Sequence, residues 1–347
     1  MAERITVNAP GGTYDIVIAP GLLQDRAQLT ELLGPGRVAI VTNETIAPLH
    51  GEALQALLPD AVLIAVPDGE RYKTLETVAA LYDQFISAGL DRKSTVLALG
   101  GGVVGDAAGF AAASYMRGVR LVQAPTSLLS MVDSSVGGKV GVDLPQGKNL
   151  VGAFKQPAVV LIDPSVLATL PTEEWRNGLG EVIKHGLLAD ASLLDTRQYQ
   201  LDHAADLVAR AVRVKVDVVE QDPYEQGIRA HLNLGHTFAH AVEQVTAYAW
   251  PHGAAVGFGL LAATRLSHRL GLCDAALPER VEAILCEVGL PCRSDGLESA
   301  ALYAAMSTDK KWESGLSRFV LLRDVGQATV LEEVPRADVL AVLDGLR

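Results

Sequence analysis

Two periodicities of apolar positions divide this chain near residue 170. Before that point, short β-rich runs recur at 4–8, 14–18, 37–42, 61–66, 95–99, 120–124 and 158–162. The first two flank Pro10-Gly11-Gly12 and predict a hairpin. Stretches with helical spacing, such as 74–88, lie between most of the others, and that alternation predicts a parallel sheet covered by helices. After Pro171 the apolar period is helical over 172–188, 203–219, 234–247, 253–270 and 278–288. Runs at 318–322 and 329–331 predict one late hairpin. The expectation is an α/β domain over residues 1–170 and a mostly α-helical domain over 171–347. No internal repeat or low-complexity tract interrupts either part.

Composition narrows the picture without changing it. A chain of 347 residues, 49% hydrophobic and 20% charged, is long enough for two domains with separate cores. The formal net charge of −12 argues against general affinity for nucleic acid. Cys273, Cys286 and Cys292 form no C-x-x-C pair and read as small core residues in a reducing compartment. Met1-Ala2-Glu3-Arg4 leads straight into Ile5-Thr6-Val7 with no apolar signal centre. The longest uncharged stretch, 244–264, is broken by Thr246, Pro251 and His252 and does not read as a membrane span. A cytoplasmic location is expected.

Residues 99–149 carry the densest chemistry. The strand-like run 95–99 leads into Gly100-Gly101-Gly102-Val103-Val104-Gly105-Asp106, followed by a helix-like stretch of small apolar residues from 107 to 116. That strand–turn–helix setting favours a phosphate-binding loop. No acid lies about 20 residues further on to hold a ribose hydroxyl, as the usual dinucleotide pattern requires. The turn Asp68-Gly69-Glu70-Arg71-Tyr72-Lys73 offers a substitute carboxylate, although taken alone it reads as a solvated charged turn. Gly137-Gly138-Lys139 and Gly147-Lys148-Asn149 read as further glycine-rich loops with a lysine placed for an anion. Arg117, Lys139, Lys148, Lys184, Lys215, Arg229 and Lys310 mostly sit beside a glycine, an asparagine or a candidate ligand. They suggest a phosphorylated or carboxylated small-molecule substrate.

Glu181, Lys184 and His185 share one helical face at i, i+3 and i+4, as do His236 and His240 at i and i+4. His252 stands at the expected start of the next helix. A carboxylate with two or three imidazoles from separate helices makes a metal site with an open position. The H-x-x-x-H spacing is also common in histidines that bind nothing, so spacing alone leaves both readings open.

Together these residues resemble the 3-dehydroquinate synthase family of the sugar-phosphate cyclase superfamily. The resemblance covers about residues 37–331. It rests on the turn 68–76, the loop 100–106, Pro125-Thr126-Ser127-Leu128-Leu129, the run 132–139, Gly147-Lys148-Asn149, Gly180-Glu181-Val182-Ile183-Lys184 and Asn233-Leu234-Gly235-His236-Thr237-Phe238. It implies a doubly wound, Rossmann-like NAD-binding domain, then a mostly α-helical metal-binding domain, with the active site between them. The implied reaction converts 3-deoxy-arabino-heptulosonate 7-phosphate to 3-dehydroquinate and phosphate. NAD transiently oxidises a hydroxyl, phosphate is eliminated, the ketone is reduced again, and ring opening precedes an intramolecular aldol closure.

Carried over residue by residue, the resemblance makes Glu181, His236 and His252 ligands of one divalent ion, zinc or cobalt. His240 becomes a proton-transfer residue. Asp133, Lys139, Asn149, Lys184, Arg229 and Asn233 face the substrate, Lys215 and Lys310 join them, and Arg117 reaches across a homodimer interface. The implied NAD site comprises Asn43, Asp68, Gly69, Glu70, Arg71, Tyr72, Lys73, Gly102, Val103, Val104, Gly105, Asp106, Thr126, Ser127, Lys139, Lys148, Val166, Leu167, Ala168 and Thr169. Three positions depart from the family pattern: Ser127 where threonine is common, Ala254 for a frequent glutamate, and His185 for a frequent tyrosine. Rival readings are a cyclase acting on another sugar phosphate, an iron-dependent alcohol dehydrogenase of similar fold, and a catalytically dead NAD-binding or scaffold protein.

Overall fold

Parallel strands whose residues are all buried fix the first part of the architecture. The computed structural model describes residues 2–10, 12–307 and 317–347. The chain separates into two units, Met1–Pro171 with Ala204–Val216, and Thr172–His203 with Asp217–Arg347.

In the first unit, β1 (Glu3–Ala9) and β2 (Gly12–Ile18) form the expected antiparallel hairpin, with Ile5 opposite Ile16. The other strands of its sheet are β3 (Val38–Asn43), β4 (Val62–Val66), β5 (Thr95–Gly100), β6 (Arg120–Pro125) and β9 (Val159–Ile162). Their order is β1-β2-β9-β6-β5-β3-β4, and every pairing from β2 to β4 is parallel. Every residue of β3 and β5 is buried, as a sheet covered on both faces requires. The covering helices include α1 (Arg26–Leu33), α2 (Glu52–Leu57), α3 (Leu75–Ser87) and α4 (Gly102–Ser114). Asp25 caps α1 by accepting from the Ala27 and Gln28 amides, and Thr74 caps α3 by accepting from Thr77. Val78, Leu81 and Phe85 of α3 share one core with Ala108 and Ala111 of α4 and Val96 and Ala98 of β5.

Two details differ from the sequence reading. Helix α4 starts at Gly102, so residues 102–106 are its first turn and not a free loop. The two glycine-lysine segments also belong to a hairpin: β7 (Lys139–Leu144) pairs antiparallel with β8 (Gly147–Phe154), with Gly141 opposite Gly152. Gly137 and Gly138 turn the chain into β7 with positive φ, Gly147 opens β8, and Gly141 and Gly152 within the strands let the two backbones come together.

The second unit contains α5 (Thr172–Leu188), the last turns of α6 (Ala204–Gln221), α7 (His236–Val245), α8 (His252–Arg269), α9 (Ala276–Val288), α10 (Ser299–Ser307) and α11 (Arg336–Asp344). The late hairpin is β10 (Arg318–Asp324) with β11 (Gln327–Glu332). Helix α8 is its central element, with Val256, Phe258, Leu260, Leu261 and Leu266 fully buried. The cysteines are not core residues: Cys286 is exposed, and Cys273 and Cys292 are half-buried. On α9 the buried stripe runs through Leu277, Val281, Ile284 and Leu285, and Cys286 falls one position beyond it. No described helix is long and apolar enough to cross a membrane.

Candidate active site

Backbone contact between helices assembles the cluster in the second unit. A Cβ on Gly180 of α5 would lie 2.2 Å from the carbonyl of Gly253, and one on Gly253 would lie 1.7 Å from that of Asn177. The Asn177 side chain also accepts from the Gly253 amide. Helices α5 and α8 therefore cross at a spacing only glycine permits. That crossing sets Glu181 beside His252. On the other side of α8, a Cβ on Gly259 would lie 2.2 Å from the Gly235 carbonyl, at the start of α7, which brings in His236.

The product is one carboxylate oxygen facing two imidazole nitrogens. Glu181 Oε1 lies 3.4 Å from His252 Nε2 and 3.5 Å from His236 Nε2. Each remaining ring nitrogen has a partner of its own. His236 Nδ1 is 3.2 Å from the Leu234 carbonyl, and His252 Nδ1 is 3.3 Å from Glu243 Oε1. Both partners accept, so Nδ1 carries a proton on each ring and each Nε2 faces Glu181, donating to it when protonated and offering a lone pair to a metal once that proton is lost. This N, N, O set, with an oriented ring on each side, fits a divalent ion such as zinc or cobalt. Burial alone would raise the Glu181 carboxyl, but Lys184, His252 and His236 outweigh it and hold it well below the usual range. Burial would lower His252, yet Glu181 and Glu243 push it up to about 9.

Of the other predicted residues of this unit, Lys184 and His240 contact the cluster. Lys184, 1% exposed, pairs with Glu181 one turn away. His240 is half-buried, and its ring stands edge-on to His236 at 5.5 Å. His185 is fully buried on α5. Arg229 is buried, donates to the Pro223 carbonyl, and is anchored through its own amide by Asp222 Oδ2 at 3.1 Å. Asp222 also accepts from the Gln226 and Gly227 amides, and these bonds, working against burial, lower its pKa. Asn233 donates to Glu225 at 2.8 Å. Lys310 lies outside the described residues.

In the first unit, the candidate NAD residues gather at the carboxyl ends of the parallel strands. The chain order reverses between β3 and β5, where open α/β sheets bind their ligands. Asn43, ending β3, donates to Asp68 Oδ1 at 2.6 Å, and Thr45 donates to Asp68 Oδ2 at the same distance. This clamp fixes a carboxylate at the same end of the sheet as the N-terminus of α4, whose cap, Gly101, offers no side chain to its amides. Fixed carboxylate and open helix end together fit the ribose and pyrophosphate of a dinucleotide. Val104 turns its side chain to β5, and Gly105 packs on Gln123, which donates to its carbonyl. Thr126 and Ser127 follow β6, with the Thr126 amide donating to the Gly100 carbonyl. After β9, Val166 and Leu167 are core residues, Ala168 is exposed, and Thr169 meets His50 Nε2 at 2.8 Å.

The turn 69–73 is more than a solvated charge run. Lys73 is 4% exposed; it meets Asp106 at 2.6 Å and donates to Asn149 Oδ1 at 2.7 Å. Burial would lower Lys73, but Asp106 and Glu70 raise it; burial raises Asp106 against the pull of Lys73. Glu70 also faces Lys148 at 3.4 Å, and Arg71 lies over the Tyr72 ring. Asn149 takes a left-handed backbone (φ 53°), with its amide on Asp143. Asp133 accepts from Lys215 at 2.7 Å. Lys139 is exposed, and so is Arg117, which has φ 70°.

Sequence reasoning passed over Glu243, Asn177, Thr45 and Asp222. Glu243 had a signal: His236, His240 and Glu243 fall at i, i+4 and i+7, one continuous helical face. Asn177 and Asp222 act on backbone amides, for which sequence spacing carries no mark.

Family models and curated relatives agree on one family, and the solved structures share its fold. The family described as 3-dehydroquinate synthase N-terminal matches residues 63–177, and 3-dehydroquinate synthase C-terminal matches 178–312. The 3-dehydroquinate synthase of Halorhodospira halophila is 48% identical over 330 residues, covering 92% of this chain and 93% of its own. A solved 2-epi-5-epi-valiolone synthase from Streptomyces hygroscopicus subsp. jinggangensis, with NAD+ and Zn2+ bound, is 31% identical with a TM-score of 0.89, covering 99% of both chains. A 2-deoxy-scyllo-inosose synthase complexed with carbaglucose-6-phosphate, NAD+ and Co2+ shares the fold at a TM-score of 0.91 and 21% identity, covering 99% of this chain and 100% of that one.

Proposed function

The chain belongs to the 3-dehydroquinate synthase family, and from that premise we infer its reaction: 3-deoxy-D-arabino-heptulosonate 7-phosphate to 3-dehydroquinate and phosphate. It is an NAD- and divalent-metal-dependent carbon–oxygen lyase of the shikimate pathway. The observation that carries this reading is the Glu181, His236 and His252 donor set, with both rings turned to it by Leu234 and Glu243.

Once bound, NAD would supply a reversible hydride acceptor, and the divalent ion a Lewis acid toward the hydroxyl that is oxidised. The protein's own residues do the rest. Glu181, His236 and His252 would hold the ion. Asp68, oriented by Asn43 and Thr45, would take ribose hydroxyls, and the first-turn amides of α4 the pyrophosphate. Lys184 sets a fixed positive charge beside Glu181, where it stabilises negative charge developing on the substrate. His240 is the proton carrier. Arg229, Lys139, Lys148 and Lys215 supply cations for the carboxylate and phosphate, with Asp133, Asn149 and Asn233 orienting hydroxyls. In this reading the functional domains are residues 1–170 and 171–347, and the enzyme is a cytoplasmic homodimer with Arg117 at the subunit contact. Its exposed position leaves it accessible for that last role.

The competing reading is a cyclase of the valiolone type, favoured by the 31% identical neighbour. The 48% identity to a 3-dehydroquinate synthase favours the dehydroquinate branch. Product analysis by NMR decides between them. With the heptulosonate phosphate, NAD and zinc or cobalt, 3-dehydroquinate should accumulate with one phosphate per product. No turnover of that substrate, with turnover of a different sugar phosphate to a valiolone product, would overturn the assignment.

A further inference from the structure

The end of α9 folds two cysteines into contact. Gly289 takes φ 76°, its amide donates to the Cys286 carbonyl at 3.2 Å, and the Leu290 amide donates to Leu285 at 2.9 Å. This pair of bonds is a Schellman ending, which turns the chain back over the last helical turn. Pro291 follows, and Cys292 returns beside Cys286 with the two Sγ atoms 2.8 Å apart. Cys286 is exposed and Cys292 half-buried, so one thiol faces solvent and the other stands behind it. Leu285 and Leu290, on either side of the turn, both close on Gly257 of α8. The turn is thus held by packing, and the thiols meet without closing a flexible loop.

We propose that Cys286 and Cys292 are a redox-responsive dithiol, a modification site that closes to a disulfide by exchange with a small-molecule disulfide. Cys286 is the entry thiol. Its thiolate attacks one sulfur of the reagent, forming a mixed disulfide and releasing one small thiol, which takes up a proton. Cys292 then gives up its proton and attacks the Cys286 sulfur, forming the internal bond and releasing the second small thiol. The protein is oxidised by two electrons, and the reagent is reduced to two thiols. Burial, then the neighbouring Cys286 and Glu282, push the Cys292 thiol up to about 12, so it does not compete as the entry point. Its fixed position beside Cys286 offsets its small thiolate fraction in the second step. Cys273 stands apart, its Sγ 3.9 Å from the Thr264 carbonyl.

The test uses the full-length protein in buffers of graded oxidised and reduced glutathione, quenched by alkylation and mapped by mass spectrometry. The expected result is joint loss of two of the three thiols, a linked Cys286–Cys292 peptide, no lasting glutathione adduct, and full reversal by dithiothreitol. Cys292→Ser should instead trap one glutathione on Cys286, and Cys286→Ser should take up at least tenfold less. The proposal is overturned if wild type keeps a stable adduct on Cys286, if the linked peptide contains Cys273, or if all thiols stay free in buffer that glutathionylates the Cys292→Ser protein. Circular dichroism of each variant separates loss of the thiol from loss of the fold.

Discussion

Glu243 is the residue on which the account of the metal cluster is most exposed. It touches the His252 ring and acts on the ion only through it, which makes it a positioning residue. Glu243→Gln keeps the size of the side chain but removes the charge that holds the Nδ1 proton. Affinity for zinc should fall about 10- to 100-fold, the usual cost of losing such a partner. Competition with a chromophoric chelator measures this without any turnover, and unchanged affinity in a normally folded variant would remove Glu243 from the site. At this scale the sequence was partly legible. Glu181, His236 and His252 are reactive types at helical spacing, and the structure brings them together. Taken alone, the turn holding Lys73 reads as solvated charge, because its burial depends on Asp106 and Asn149, which lie far away in the chain; only the family resemblance places it in the cofactor site.

At the scale of elements, the ligand set depends on the crossing of α5 and α8. Gly253→Ala would place a methyl group 1.7 Å from the Asn177 carbonyl oxygen, and no side-chain rotation relieves a clash with backbone. Overpacking of this kind costs at least about 3 kcal/mol, at the upper end of the usual range. For a unit of this size that lowers Tm by roughly 6 °C or more. Because the helices separate where Glu181 meets His252, the variant should also lose most of the thermal stabilisation that added zinc gives wild type. A scan with and without zinc reads both effects; a wild-type Tm with full zinc response would contradict the crossing as described. Long periodic segments were well read here, α5 among them, since a buried helical face repeats over many turns. The β7–β8 hairpin was missed because its glycines carry the same letters as a phosphate loop. What separates the two is Gly141 lying opposite Gly152 across the hairpin, a pairing that needs the partner strand.

Over the whole molecule, an acidic chain has to recognise an anionic substrate. With a net charge of −12, it cannot draw that substrate by its overall field. Cations proposed to meet it are instead withdrawn from solvent: Lys184, Lys215 and Arg229 are all buried. Buried charges of this kind are held by fixed partners and interact strongly at short range. The same scale carries the central claim, that NAD is used and returned within each catalytic cycle. The direct test runs the reaction at equal concentrations of enzyme and NAD, following absorbance at the NADH band while phosphate is assayed. Phosphate should be released for many turnovers per NAD with no net NADH accumulating. Phosphate release that stops at one equivalent, or NADH that rises in step with product, would contradict the account and place the chain with the dehydrogenases that share its fold.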